Sequence, residues 1–137
     1  MKMDISNLLG FNSTAKESAP DFNHMVQEET DYRAKLHAFI NGLTDIKFTP
    51  ESLARDNQCQ LGRWLHDEGE KKFAKEVSFT ELKLHHAMYH LYMARILVAF
   101  QQGDKRMALH MLAEGEFPRC LQELQGKIEA FHKKLAH

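Results

Sequence analysis

Phe79, Leu82, His86, Tyr89, Met93, Ile96 and Phe100 recur at alternating intervals of three and four residues. Only a helix brings such positions onto one face, because a strand of period two would scatter them over both sides. The stretch therefore predicts one long helix with a continuous seam for packing against other helices. A second stripe, Leu84, Met88, Leu91 and Val98, lies on another side of the same helix. A helix apolar on two sides is buried more deeply than one lining a small monomer, so this stripe is expected to form a homodimer face.

The rest of the chain follows the same period. A first long helix is expected from about Pro20 to Gly42, with Tyr32, Leu36, Phe39 and Leu43 at helical spacing. Thr49-Pro50-Glu51 has the form of an N-cap, a first-turn proline and an acidic residue near the positive helix end. A second helix should run through Leu53 and, after a break near Asn57, through Trp64 to Gly69. A short polar helix or loop covers Glu70 to Val77. Ser78 or Thr80 is the expected cap of the third long helix, and Gly103-Asp104 its end. Met107 to Leu112 forms a short helix, broken from Gly115 to Pro118. Leu121, Leu124, Ile128, Phe131 and Leu135 define the last helix. No stretch alternates cleanly, and no Asn-Gly or Asp-Gly hairpin turn occurs, so strands are not expected. The expected fold is all-α, an antiparallel four-helix bundle with additional short helices. It occupies residues 20–137, behind an N-terminal segment of residues 1–19.

The chain has 137 residues, 43% of them hydrophobic, which is enough for one domain with a real core. A formal charge of −1 argues against nucleic-acid binding, which normally brings a basic excess. No apolar run reaches the length of a bilayer span, so membrane insertion is not expected. Met1 to Gly10 lacks the charged start and apolar core of a signal peptide. A cytoplasmic location follows as an expectation. The two cysteines, Cys59 and Cys120, are then better read as a free thiol and a metal ligand than as a disulfide.

His86 lies in the apolar seam, where an imidazole costs free energy unless it has a partner. His90 follows one helical turn later on the same face, and two imidazoles at that spacing can grip one metal ion. Cys59 stands upstream in Cys59-Gln60-Leu61-Gly62-Arg63-Trp64-Leu65. A thiolate and a third imidazole would complete the tetrahedral N/S set that zinc prefers. His37, between Leu36 and Phe39, is the preferred third imidazole; His24 lies well over two turns earlier on the same helix. His66 is two turns past Cys59, too far for easy sharing of one ion. His85 points about 100° away from its neighbour. His110, His132 and His137 read as surface residues, and Cys120 as a residue without a role.

Taken together, His37, the run Cys59-x-Leu61-Gly62-x-Trp64-Leu65 and the pair His86-x-x-x-His90 resemble the chemoreceptor zinc-binding domain over roughly Asp31 to Phe100. The resemblance implies a four-helix bundle in which three histidines and one cysteine hold Zn2+. The ligands it implies here are His37, Cys59, His86 and His90. It also implies a regulatory role beside chemoreceptors or diguanylate cyclases, frequent homodimers, and redox sensing through the zinc-bound cysteine. With no output domain alongside, the chain is either free-standing, acting on a signalling protein in trans, or a piece of a larger protein.

Two enzyme-like alternatives are weaker. His24-x-x-x-Glu28, His86-x-x-x-His90 and His110-x-x-x-Glu114 superficially resemble hemerythrin, a di-iron oxygen-binding bundle. That family carries a His-x-x-x-Glu segment on the helix before its His-x-x-x-His segment; here that helix offers Cys59, and a soft thiolate suits zinc better. A hydrolytic zinc site needs an open position and a general base, and Ala87 stands where the base of His-Glu-x-x-His would be. The chain is therefore not expected to be an enzyme.

Overall fold

The computed structural model describes residues 20–135, which contain helices and no strand. The segment 1–19 and the last two residues, His137 among them, lie outside the described residues. The helices are α1 (Phe22–Ile40), α2 (Pro50–Ala54), α3 (Gln60–His66), α4 (Glu68–Phe73), α5 (Val77–Gln101), α6 (Lys105–Ala113) and α7 (Glu116–Leu135).

Local chemistry accounts for most of the boundaries. Asp21 accepts the His24 backbone N–H and starts α1. Thr49 and Ser52 exchange reciprocal hydrogen bonds at the head of α2, with Pro50 in the first turn, as its sequence predicts. The cap of α5 differs from expectation. The helix begins at Val77, and Glu76 precedes it without a side-chain cap bond. The hydroxyl of Thr80 donates back to the Glu76 carbonyl, and Ser78 accepts from Lys134. The break before α7 is also narrower than expected. Extended Glu114 and Gly115, at φ 84°, make it, and Pro118 sits inside the first turn of α7, where its missing N–H costs nothing.

Contacts between residues distant in sequence set the helix directions. Phe131 meets Phe79, and Phe117 stacks on Tyr89, so α7 runs opposite to α5. Tyr32 meets His90 and Phe39 meets Phe100, so α1 runs with α5. Between them, Cys59 lies beside His86, and Trp64 beside Phe79; the segment carrying α2 and α3 descends along α5. The helices form a bundle whose connecting legs are broken into short pieces.

The seam of α5 is buried at Phe79, Leu82, His86, Tyr89, Met93 and Ile96; Phe100 at its end is half-buried. At one end of the bundle Phe22, Trp64, Phe73, Phe79 and Phe131 pack edge to face. Burying each such ring contributes roughly 1.5–3 kcal/mol. Leu84, Met88, Leu91 and Val98, the second stripe of α5, are solvent-exposed.

Candidate metal centre

Three segments far apart in sequence deliver four side chains to one point. Glu29 comes from the middle of α1, Cys59 from the head of α3, and His86 and His90 from successive turns of α5. One ligand-type atom from each lies within 4.8 Å of all the others. All four residues are buried. Among the described residues this is the one group of three or more His, Cys, Asp or Glu donors so arranged.

Cys59 is placed by the helix it starts. It occupies the N-cap of α3, and its sulfur accepts the Gly62 N–H at 3.3 Å. The motif around it is a packing device. Leu61 and Leu65 are fully buried, and Trp64 reaches the aromatic cluster. Gly62 lies against the preceding loop: a Cβ there would stand 1.7 Å from the Asp56 carbonyl oxygen. Only glycine permits that approach, which turns the sulfur inward. Gly69 plays a similar part against the rings of Trp64 and Phe79, where a Cβ would come within 3.0 Å.

The imidazoles are held from behind. His90 Nδ1 lies 3.0 Å from the Leu53 carbonyl of α2. A carbonyl only accepts, so Nδ1 carries a proton and donates to it, which leaves Nε2 turned into the cluster. An outward N–H to a backbone carbonyl is the usual way a ligating histidine is oriented. His86 Nε2 also points inward, 3.1 Å from the Cys59 sulfur; its Nδ1 is buried with no hydrogen-bond partner among the described residues.

Glu29 completes the group. One carboxylate oxygen lies 2.9 Å from His90 Nε2 and the other 3.3 Å from His86 Nε2. Tyr89, between the two histidines in sequence, donates its hydroxyl to the Glu29 backbone carbonyl and so locks this turn of α1 to α5. Burial works against the charge of Glu29, but hydrogen bonds and charge from His86 and His90 outweigh it and hold the carboxyl down at about 2. Burial, followed by the negative charge of Glu29, pushes the Cys59 thiol well above its ordinary range. A sulfur, a carboxylate and two imidazole Nε2 atoms crowded together out of contact with solvent form a pocket of donor atoms that a bound cation would relieve.

The donor spacing fits a metal ion. With Zn–S near 2.3 Å and Zn–N or Zn–O near 2.0–2.1 Å, donors subtending about 90–110° at one ion stand about 3.1–3.6 Å apart for S···N and about 2.9–3.3 Å apart for N···O. The sulfur lies 3.1 and 3.6 Å from the two Nε2 atoms, and the carboxylate oxygens 2.9 and 3.3 Å from theirs.

His37 is not part of this group. It is exposed on α1, beside Asn41. It stands eight residues, roughly 12 Å of helix, beyond Glu29 and one residue off the buried face. Of the four residues expected from the sequence, the structure brings Cys59, His86 and His90 together, with Glu29 beside them, and places His37 outside the group. His24 is also exposed, and bonds Gln60 outside the cluster. His66 is exposed beside Asp56, His110 and His132 are exposed, and Cys120 is buried away from the group.

The signal for Glu29 was present in the sequence. Phe22, Met25, Glu29, Tyr32, Leu36 and Phe39 follow the same alternating three-four rhythm as α5. Extending the stripe of Tyr32 and Leu36 backwards reaches a carboxylate in the seam, and a seam carboxylate needs a partner for the same reason as His86.

Fold and site together give an all-α bundle with a buried group of four side chains that could hold a metal ion. Residues 30–97 match the family model of the chemoreceptor zinc-binding domain, and through this segment the chain belongs to that family. The match takes in Cys59, His86 and His90 and begins one residue after Glu29, so the carboxylate's place in the group rests on geometry. No curated protein and no solved structure matches the chain.

Proposed function

We propose that the protein is a regulatory zinc-binding module of bacterial signalling, in which Glu29, Cys59, His86 and His90 hold one Zn2+. The observation that supports it most is the convergence of four donors from three separate helices on one buried point. Bound zinc supplies a cross-link between α1, α3 and α5, and it keeps Cys59 as a thiolate. The residues around it do the rest. The Leu53 carbonyl and the Gly62 N–H orient His90 and Cys59, and the aromatic cluster beside Trp64 couples α3 to α5 and α7. A change in occupancy then alters the packing between helices, which is what an output domain or a partner in trans would read. Four protein donors and Ala87 after His86 favour this over hydrolytic catalysis. A thiolate and a lone carboxylate favour it over a hemerythrin-like di-iron site.

Two features extend the proposal. A zinc-bound thiolate is an oxidisable form of cysteine, so a peroxide would convert Cys59 to a sulfenic acid, release hydroxide and remove one donor. Oxidant treatment of zinc-loaded protein should then release zinc; full zinc retention with Cys59 unmodified refutes that step. The exposed stripe Leu84, Met88, Leu91 and Val98 supports a homodimer. Leu84 and Leu91 are 57% and 53% exposed, and a two-fold axis across α5 would bury each stripe against its copy. The chain would work in the cytoplasm.

Elemental analysis of untagged protein tests the core of the proposal. The wild type should carry one zinc per chain, and Cys59→Ala and His86→Ala should each lose most of it. A metal-free wild type purified without chelator, or full occupancy in both variants, overturns it.

A further inference from the structure

We propose that Glu29 presents both of its carboxylate oxygens to the bound ion, making a five-donor site that accepts Fe2+ and Co2+ alongside Zn2+. The inference rests on the metal site proposed above and adds its coordination number and its range of ions.

The geometry of the carboxylate carries it. Glu29 straddles the donor set: Oε1 faces His90 Nε2 at 2.9 Å, and Oε2 faces His86 Nε2 at 3.3 Å. A carboxylate that binds a metal through one oxygen usually gives its other oxygen to a hydrogen-bond donor outside the site. Here no such donor exists among the described residues. Both oxygens find their hydrogen-bond partners within the cluster, and Glu29 is 0% exposed, so bulk water does not reach it. One-oxygen binding would leave a buried charged acceptor unsatisfied, which proteins avoid because it forfeits the whole cost of desolvating the group. Binding through both oxygens removes the problem.

The consequence concerns which ions fit. Two imidazoles, one sulfur and two oxygens make five donors, whereas a third imidazole in place of Glu29 would make four. Zinc tolerates either number, having no geometric preference from its d electrons. Two histidines with one carboxylate are also the donor types of non-haem ferrous sites. The second anionic ligand has an electrostatic effect as well. Thiolate and carboxylate together balance a divalent ion, so the buried site is formally neutral instead of singly positive, and burial penalises it less.

Cobalt reports the coordination number directly, because its visible ligand-field bands are intense in four-coordinate tetrahedral sites and weak in five-coordinate ones. Apo protein is loaded anaerobically with Co2+ in the full chain, for the wild type and for Glu29→His. The wild type should give weak visible bands beside a sulfur-to-cobalt charge-transfer band. Glu29→His, with one nitrogen in place of two oxygens, should shift to intense tetrahedral bands. In competition, a tenfold excess of Fe2+ over Zn2+ should leave more iron in the wild type than in the variant. Zinc-edge X-ray absorption of the wild type supplies a readout that needs no variant, and five donor atoms bound to zinc are expected. An intense tetrahedral cobalt spectrum in the wild type, or four donors at zinc, overturns this inference while the zinc site stands. Failure of the wild type to bind either ion overturns both.

Discussion

Glycine-to-alanine substitutions at positions 62 and 126 should move stability in opposite directions, although both lie in helices. A Cβ on residue 62 would meet three backbone atoms: the Asp56 oxygen at 1.7 Å, the Asp56 carbon at 2.7 Å and the Asn57 Cα at 3.1 Å. Carbon and oxygen in contact need well over 3 Å, so the loop before Cys59 must retreat by more than 1 Å. No flexible side chain is available to yield instead. Overpacking of this kind costs about 1–3 kcal/mol, and a backbone clash belongs at the upper end. For a domain of this size about 3 kcal/mol corresponds to a melting temperature roughly 10 °C lower. The same retreat displaces the N-cap that aims the Cys59 sulfur, so zinc affinity should fall at least tenfold. Gly126 lies in α7 and is exposed, with nothing within 4 Å of an added Cβ. Alanine there should stabilise by about 0.5–1 kcal/mol through the entropy of the unfolded chain, with zinc affinity unchanged. Thermal melts followed by circular dichroism, in chelator and in excess zinc, measure the stabilities, and competition with a chromophoric chelator measures the affinities. A Gly62→Ala protein that melts with the wild type and binds zinc as tightly would refute the packing account of the motif.

Four further predictions concern the same helices and cluster. His37→Ala should retain one zinc per chain and wild-type affinity by chelator competition, whereas Glu29→Ala should lose at least tenfold. In metal-free protein the Glu29 carboxyl is held at about 2, below its ordinary 4.5, so its contribution to stability is complete above about pH 4.5 and is lost as pH falls towards 2; urea midpoints across that range should drop in the wild type more than in Glu29→Gln. The raised Cys59 thiol has the opposite sign: its contribution should be lost as pH rises above its ordinary 9. On the proposed homodimer, Leu91→Glu in the exposed stripe of α5 should shift the mass measured by light scattering from dimer to monomer with zinc stoichiometry intact.

Hydrophobic rhythm made the helices legible in the sequence. The seam of α5 is buried from Phe79 to Ile96 as its spacing predicts, because a three-four repeat has one physical solution. His86 was legible as a site residue for a related reason, as a polar group where only apolar ones are cheap. His90 and Cys59 followed from spacing and motif, and both lie in the cluster. Glu29 is not legible from ligand type, since two imidazoles and a thiolate invite a third imidazole; its signal is its position in the seam of α1. His37 is adjacent to Leu36 in sequence, but adjacency on a helix means a turn of about 100°, and that turn carries it out of the core. The cap of α5 was illegible for a different reason. Ser78 and Thr80 are good capping residues, but a helix boundary depends on tertiary contacts, and here the hydroxyls serve Lys134 and the Glu76 carbonyl.

The most direct test of the site is X-ray absorption at the zinc edge of the stoichiometrically loaded protein, compared with Cys59→Ser. The wild type should display a single sulfur scatterer at about 2.3 Å beside nitrogen and oxygen neighbours near 2.0–2.1 Å, and the variant should lose the sulfur shell. A wild-type spectrum with only light-atom neighbours, identical to that of the variant, would mean that the cysteine at the head of α3 does not bind the ion, and the account would fail.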